Sequence, residues 1–189
     1  MAESSQTKKI LAQTMKEMMS RQPFGKISVG DLCVACNMNR KSFYYHFRDK
    51  YDLVNWIFQT EFLETIQGDL HTSAKSALES LCRYFYENRR FYYHALSVQG
   101  QDSFQDYFRE ILDPVIRSYA LELFDTRGED EAFFVTFFTD ALIVAILRWL
   151  SDRTCMKPEK FTALLYRSVE GSARLLQAEA AGNGDNRSI

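Results

Sequence analysis

Apolar residues recur every three or four positions along almost the whole chain, and no run of strict apolar–polar alternation persists. Helical periodicity predicts a first helix over about 5–21, with Leu11, Met15 and Met18 on one stripe. Pro23 and Gly25 then break it. Ser28 reads as a helix N-cap and Asp31, three positions on, as its capping-box partner. The second helix is short, about 29–36, with Val29, Leu32 and Cys36 facing inward. Asn37 tolerates the left-handed backbone that a sharp turn needs, and Asn39 caps a third helix over 40–46. Further helices are expected near 50–67, 72–88, 89–98, 103–125, 129–152 and 158–179, with a kink or restart at Pro114. The fold class is all-α.

The third helix carries the chemistry. Its stretch NMNRKSFYYHF places Phe43 and Phe47 one turn apart on one face. With that face turned to the core, Lys41 and Tyr45 point away, Ser42 lies beside them, Tyr44 and His46 flank them, and Arg40 stands at the helix start. A helix this short is unstable alone, so the two Phe must anchor it while the opposite face meets a partner. Two short helices joined by a tight turn, the second displaying cationic and hydroxyl groups, form a helix-turn-helix whose second helix enters the DNA major groove.

Charge sharpens this reading. The chain of 189 residues carries a net charge of only −2, but residues 1–55 sum to +4 and the remainder to −6. A basic head on an acidic body points to a polyanionic partner for the head. With 46% hydrophobic and 14% aromatic residues, a sizeable core is expected, and the composition is that of a folded rather than a disordered chain. The N-terminal MAESSQTKKI has no apolar export region, and the most apolar stretch, 132–150, is interrupted by Asp140 and Arg148. A cytoplasmic protein with reduced cysteines and no membrane span is expected.

Residues 7–60, from TKKIL through ISVGDLCVACNMNRKSFYYHFRDKYDLV, resemble the N-terminal domain of the TetR family of transcription regulators. Asn37 stands where that family usually has Gly, and Asn39 where it has Ser or Thr. The resemblance implies an N-terminal three-helix DNA-binding domain (residues 1–50) and a helical domain for effector binding and dimerisation (51–180). The polar end, 181–189, reads as a disordered tail. Carried over by position, base contacts fall on Arg40, Lys41 and Ser42, and phosphate contacts on Ser28, Tyr44, Tyr45, His46 and Lys50. The implied function is a homodimeric repressor released from a palindromic double-stranded operator by an effector, a small molecule or a protein. The segment NRRFYYHALSVQGQDSF resembles, more loosely, a TetR subgroup that includes the activator of dihydroxyacetone kinase operons. An activator controlled by a protein partner therefore stays open.

Two features of the acidic body bear on those roles. Phe134, Phe138, Ala141, Ala145 and Trp149 recur at helical spacing, as do Phe161, Leu165, Ser168 and Ser172. Large ends around small centres suit close helix crossing between two chains, although pattern alone fits an intrachain core equally well. Tyr84, Phe85, Tyr92, Phe104, Tyr107 and Phe108 are candidates to line a pocket for a flat or apolar ligand, or else fill a core.

Enzymatic chemistry finds no support. Cys33 and Cys36 form a CxxC on the second helix, but no second pair or neighbouring His completes a zinc site. His46, His71 and His94 are scattered along three helices with no nucleophile or paired acid at telling spacing, and no glycine-rich phosphate loop occurs. Neither a catalytic residue, a cofactor nor a metal is expected.

Overall fold

The computed structural model describes residues 2–64, 74–100, 102–124 and 130–184, and the regular elements among the described residues are all helical. In chain order the helices are α1 (Ala2–Met19), α2 (Val29–Ala35), α3 (Arg40–His46), α4 (Lys50–Phe58), α5 (Ala74–Glu87), α6 (Arg89–Leu96), α7 (Phe104–Phe124), α8 (Asp130–Ser151) and α9 (Pro158–Gly184). A 3₁₀ turn at Phe24–Lys26 precedes α2, and α4 widens into a π-helical turn at Gln59–Leu63. The end of the helix expected over 50–67, the start of that expected at 72, and His71 lie outside the described residues.

Local chemistry sets the short helices of the head. Ser28 Oγ accepts from the Asp31 amide at 3.1 Å, and the Asp31 carboxylate accepts from the Ser28 amide at 3.0 Å, so the predicted capping box forms. Asn37 adopts φ 52°, the left-handed turn its side chain tolerates. Asn39 Oδ1 accepts from the Ser42 amide at 2.7 Å and opens α3. Asp49, accepting from the amides of Tyr51 and Asp52, opens α4. Phe43 and Phe47 are buried among Leu11, Met15, Leu32 and Leu53. Burying each ring contributes about 1.5–3 kcal/mol, which offsets the weak intrinsic stability of seven helical residues.

Helix α4 belongs to both halves of the molecule. Its Leu53, Val54 and Ile57 are part of the buried core, and Phe58 meets Phe85, Tyr92, Phe104 and Phe108 of the body at ring-centroid distances of 5.4–6.0 Å. The boundary drawn at residue 50 thus falls in the first turn of a continuous helix. Helix α7 runs unbroken through Pro114, so no new segment starts there. Helix α9 extends to Gly184, beyond the start expected for the tail, while residues 185–189 lie outside the described residues.

Helix α8 is long and apolar enough over Glu131–Ser151 to cross a membrane by length and composition, with a mean hydropathy of 1.8. It packs on α7 and is fastened there by polar contacts. Arg109 pairs with Asp140 at 2.5 Å, Thr139 Oγ1 donates to Asp113 at 2.8 Å, and Arg117 pairs with Glu131.

Candidate nucleic-acid interface

Helix α3 turns one face to the core and the opposite face to solvent. Phe43 is fully buried, whereas Tyr45 is 82% exposed and Tyr44 50% exposed. Arg40 and Lys41 are exposed at the helix start and Ser42 is half-buried. Tyr44 rests edge-on against Phe43 at 5.4 Å, and Tyr45 against the His46 ring at 4.9 Å, which stiffens both phenols while leaving them accessible. One short face thus offers two cations and two hydroxyl-bearing rings, the groups that bind base edges and phosphates in a major groove.

Three of the candidate DNA contacts have further partners or neighbours within the chain. Ser28 is exposed, but its hydroxyl donates to Asp31 Oδ2 at 2.6 Å, so it serves the α2 cap first. Those bonds hold the Asp31 carboxyl below its ordinary range. Lys50 is half-buried, with Nζ donating to the carbonyls of Phe24 at 3.0 Å and Ile27 at 2.7 Å and lying 4.4 Å from the Phe24 ring centroid. Burial lowers its pKa, and one N–H is left for an outside acceptor. His46 sits on the rim of a cleft of about 260 Å³ between head and body, with Lys8, Arg48, Asp52, Trp56 and Tyr107. Arg48, exposed at the end of α3, is a further cation of this surface that sequence reasoning passed over.

In the body, most of the six aromatics that read as pocket or core pack against one another. Phe85, Tyr92, Phe104 and Phe108 are buried, with Phe85 stacked on Tyr92 at 4.3 Å and Phe104 on Phe108 at 5.8 Å. Tyr84 is half-buried in the same cluster, and Tyr107 alone of the six borders the head–body cleft. The Tyr92 hydroxyl donates to Tyr84 Oη and that of Tyr84 to Glu61 Oε2, both at 2.9 Å. Burial pushes both phenols well above their ordinary pKa, so each keeps its proton and donates.

The residues expected at a dimer face are divided between core and solvent in the single chain. Trp149 stacks on Phe161 at 4.3 Å, and its indole N–H donates to the Met156 carbonyl at 2.8 Å, so both rings are committed within the chain. Ala145 and Leu165 pack against the core, and Phe134 and Phe138 are half-buried. The apolar side chains left in solvent are instead Phe133 (68%), Phe137 (55%) and Val144 (45%) on α8 and Leu164 (42%) on α9. Ala141, Ser168 and Ser172 are exposed on the same two helices.

The cysteines are free thiols. Cys33 is buried, and burial pushes its pKa up, as it does that of Cys36, against the character of a reactive pair. Among the described residues no group of three or more His, Cys, Asp or Glu side chains could hold a metal ion.

Comparison with known proteins agrees with this geometry. Residues 10–57 match the family described as "Bacterial regulatory proteins, tetR family", and residues 72–171 match "Transcriptional regulator C-terminal region", a TetR C-terminal family. The chain is 29% identical over 153 residues to the HTH-type dhaKLM operon transcriptional activator DhaS of Lactococcus lactis subsp. lactis (strain IL1403), covering 78% of this chain and 81% of that protein. In fold it resembles a TetR transcriptional regulator from Streptococcus agalactiae 2603V, with a TM-score of 0.69 at 20% identity, over 89% of this chain and 96% of that one. It also resembles the solved dihydroxyacetone kinase operon activator DhaS, with a TM-score of 0.63 at 20% identity, over 89% and 97%. The chain belongs to the TetR family of DNA-binding transcriptional regulators.

Proposed function

We propose that the protein is a homodimer that reads a palindromic operator with two copies of α3 and represses transcription until an effector releases it. The observation that carries this reading is the division of α3, with Phe43 and Phe47 anchored while Arg40, Lys41, Tyr44 and Tyr45 face solvent. Arg40 and Lys41 read base edges, with Ser42 beside them. Tyr44, Tyr45, His46 and the remaining N–H of Lys50 hold phosphates, and Ser28 joins them only by giving up its bond to Asp31. One helix of this length spans too few base pairs for useful specificity, so two heads act together.

The exposed stripe of Phe133, Phe137, Ala141 and Val144, with Leu164, Ser168 and Ser172 beside it, is the surface that a second copy covers. Apolar rings at one end and small residues at the other suit a close four-helix crossing. Such a regulator works in the cytoplasm, where its operator lies. Selection of binding sites from a random duplex library tests the reading. An inverted repeat bound by one dimer supports it, and binding without sequence preference contradicts it.

The packed aromatic cluster of the body favours a second reading. Rings stacked on one another leave little room for a flat ligand, and the relative from Lactococcus lactis is named as an activator. An activator governed by a protein partner fits both observations. Transcription in vitro from a promoter carrying the selected site separates the two, since added protein lowers transcript in the first reading and raises it in the second.

A further inference from the structure

Glu61 sits where head and body meet, in the π-helical turn Gln59–Leu63 that continues α4. Its Oε2 lies 2.6 Å from Lys16 Nζ of α1 and accepts the Tyr84 hydroxyl of α5 at 2.9 Å. Tyr84 in turn accepts from Tyr92 of α6. One carboxylate oxygen therefore ties a head helix to the body. The rings behind it are packed, with Tyr84 stacked on Phe62 at 5.1 Å and Tyr92 fully buried. A second tie runs alongside, where Arg90 donates to the Ser20 carbonyl past the end of α1 at 3.3 Å.

An exposed ion pair alone contributes little. This one is backed by a half-buried phenol packed on Phe62, and drawing the turn away from α5 leaves the Tyr84 hydroxyl without that acceptor. Glu61 lies within the π turn, where the widened backbone carries an extra residue, and it meets both partners from there. Glu61 is eleven residues beyond Lys50, roughly 16 Å along a helix, so it lies well away from the DNA-facing end of α4.

We propose that Glu61, with Lys16 and Tyr84, is a positioning residue for operator binding: it fixes the angle at which the body holds each recognition helix. The proposal rests on the two-headed reading above. Two heads can engage a palindrome together only if each is held near the right angle, whereas a single half-site makes no such demand.

The test compares Glu61→Ala and Tyr84→Phe, which break the tie, with Glu61→Gln and Lys16→Arg, which keep an acceptor and a cation. Residual dipolar couplings of the DNA-free protein report whether head and body share one orientation. Wild type, Glu61→Gln and Lys16→Arg are expected to fit a single alignment tensor, and the two breaking variants to need separate ones. On DNA, the breaking variants are expected to lose about tenfold in affinity for the best palindrome, to keep their half-site affinity, and to tolerate altered half-site spacing. Equal losses on half-site and palindrome, or wild-type couplings and spacing preference in both Glu61→Ala and Tyr84→Phe, would overturn the proposal. A wild type without palindrome preference overturns the two-headed reading, and the couplings then decide the tie by themselves.

Discussion

Lys50 Nζ lies 2.7 Å from the Ile27 carbonyl oxygen, so a cation expected to face DNA also clamps α4 to the loop before α2. Lys50→Ala should therefore lower stability by about 1.5–3 kcal/mol, the range for hydrogen bonds to a charged donor. It should also reduce the salt dependence of DNA binding by about one phosphate contact. Urea unfolding and a salt titration on one duplex check the two effects separately. Unchanged stability would mean that the clamp contributes nothing, and an unchanged salt slope that the third N–H never reaches a phosphate.

Arg40 and Lys41 project from the first turn of α3 with no ion-pair partner among the described residues. A bidentate arginine–guanine contact is worth roughly 1–3 kcal/mol of discrimination. Arg40→Ala should relax preference at one symmetric pair of operator positions while the rest of the selected site is kept. Identical selected sites from wild type and variant would remove Arg40 from base reading.

On the body, a charge should act differently at neighbouring positions of α8. Phe137→Glu meets solvent in the single chain, so it should leave the fold intact and split the dimer by placing an unpaired carboxylate in the interface. Ala145→Glu strikes a residue packed against the core and should destabilise the chain itself. Trp149→Ala should cost about 3–5 kcal/mol, as large aromatic deletions in cores do. Light scattering alongside thermal unfolding separates the three. A Phe137→Glu protein that stays dimeric would move the interface elsewhere.

Acid should loosen the start of α2. The Ser28 hydroxyl, and then its amide, hold Asp31 below its ordinary pKa of 3.8, outweighing a small opposing effect of desolvation. With the folded value below the unfolded one, the cap's contribution is complete above the unfolded value and is lost as pH falls through the folded one. Carboxyl chemical shifts of Asp31 followed against pH should show the lowered midpoint in wild type and a rise in Ser28→Ala. Equal midpoints in the two proteins would contradict the capping box as the cause.

The head is legible in the sequence because its signals are local. Ser28 with Asp31, Asn37 at the turn and Asn39 before α3 act within three residues, and α3 begins and ends as its pattern predicts. The exposed apolar stripe of α8 lies a partial turn from the stripe read in the sequence because α8 carries Phe133, Phe134, Phe137 and Phe138 together. A helix apolar on nearly every side has no periodicity to say which face is inward. The inward face is set by Trp149 stacking on Phe161 and by Thr139 bonding Asp113, contacts that only the tertiary arrangement supplies. The Glu61–Tyr84 bond, across 23 positions, is equally invisible in the sequence, as is the use of Lys50 as a clamp. The aromatic body reads from sequence as a core or a pocket, and Phe85 on Tyr92 places those rings in the core.

The central claim is that two copies of this chain bind one palindrome through α3. Sedimentation of the protein alone and with a selected operator duplex, repeated with a duplex carrying one half-site, tests it most directly. The account predicts a dimer in both protein and complex, one dimer per palindrome, and much weaker binding to the half-site. A monomer on and off DNA, or equal affinity for palindrome and half-site, would contradict it.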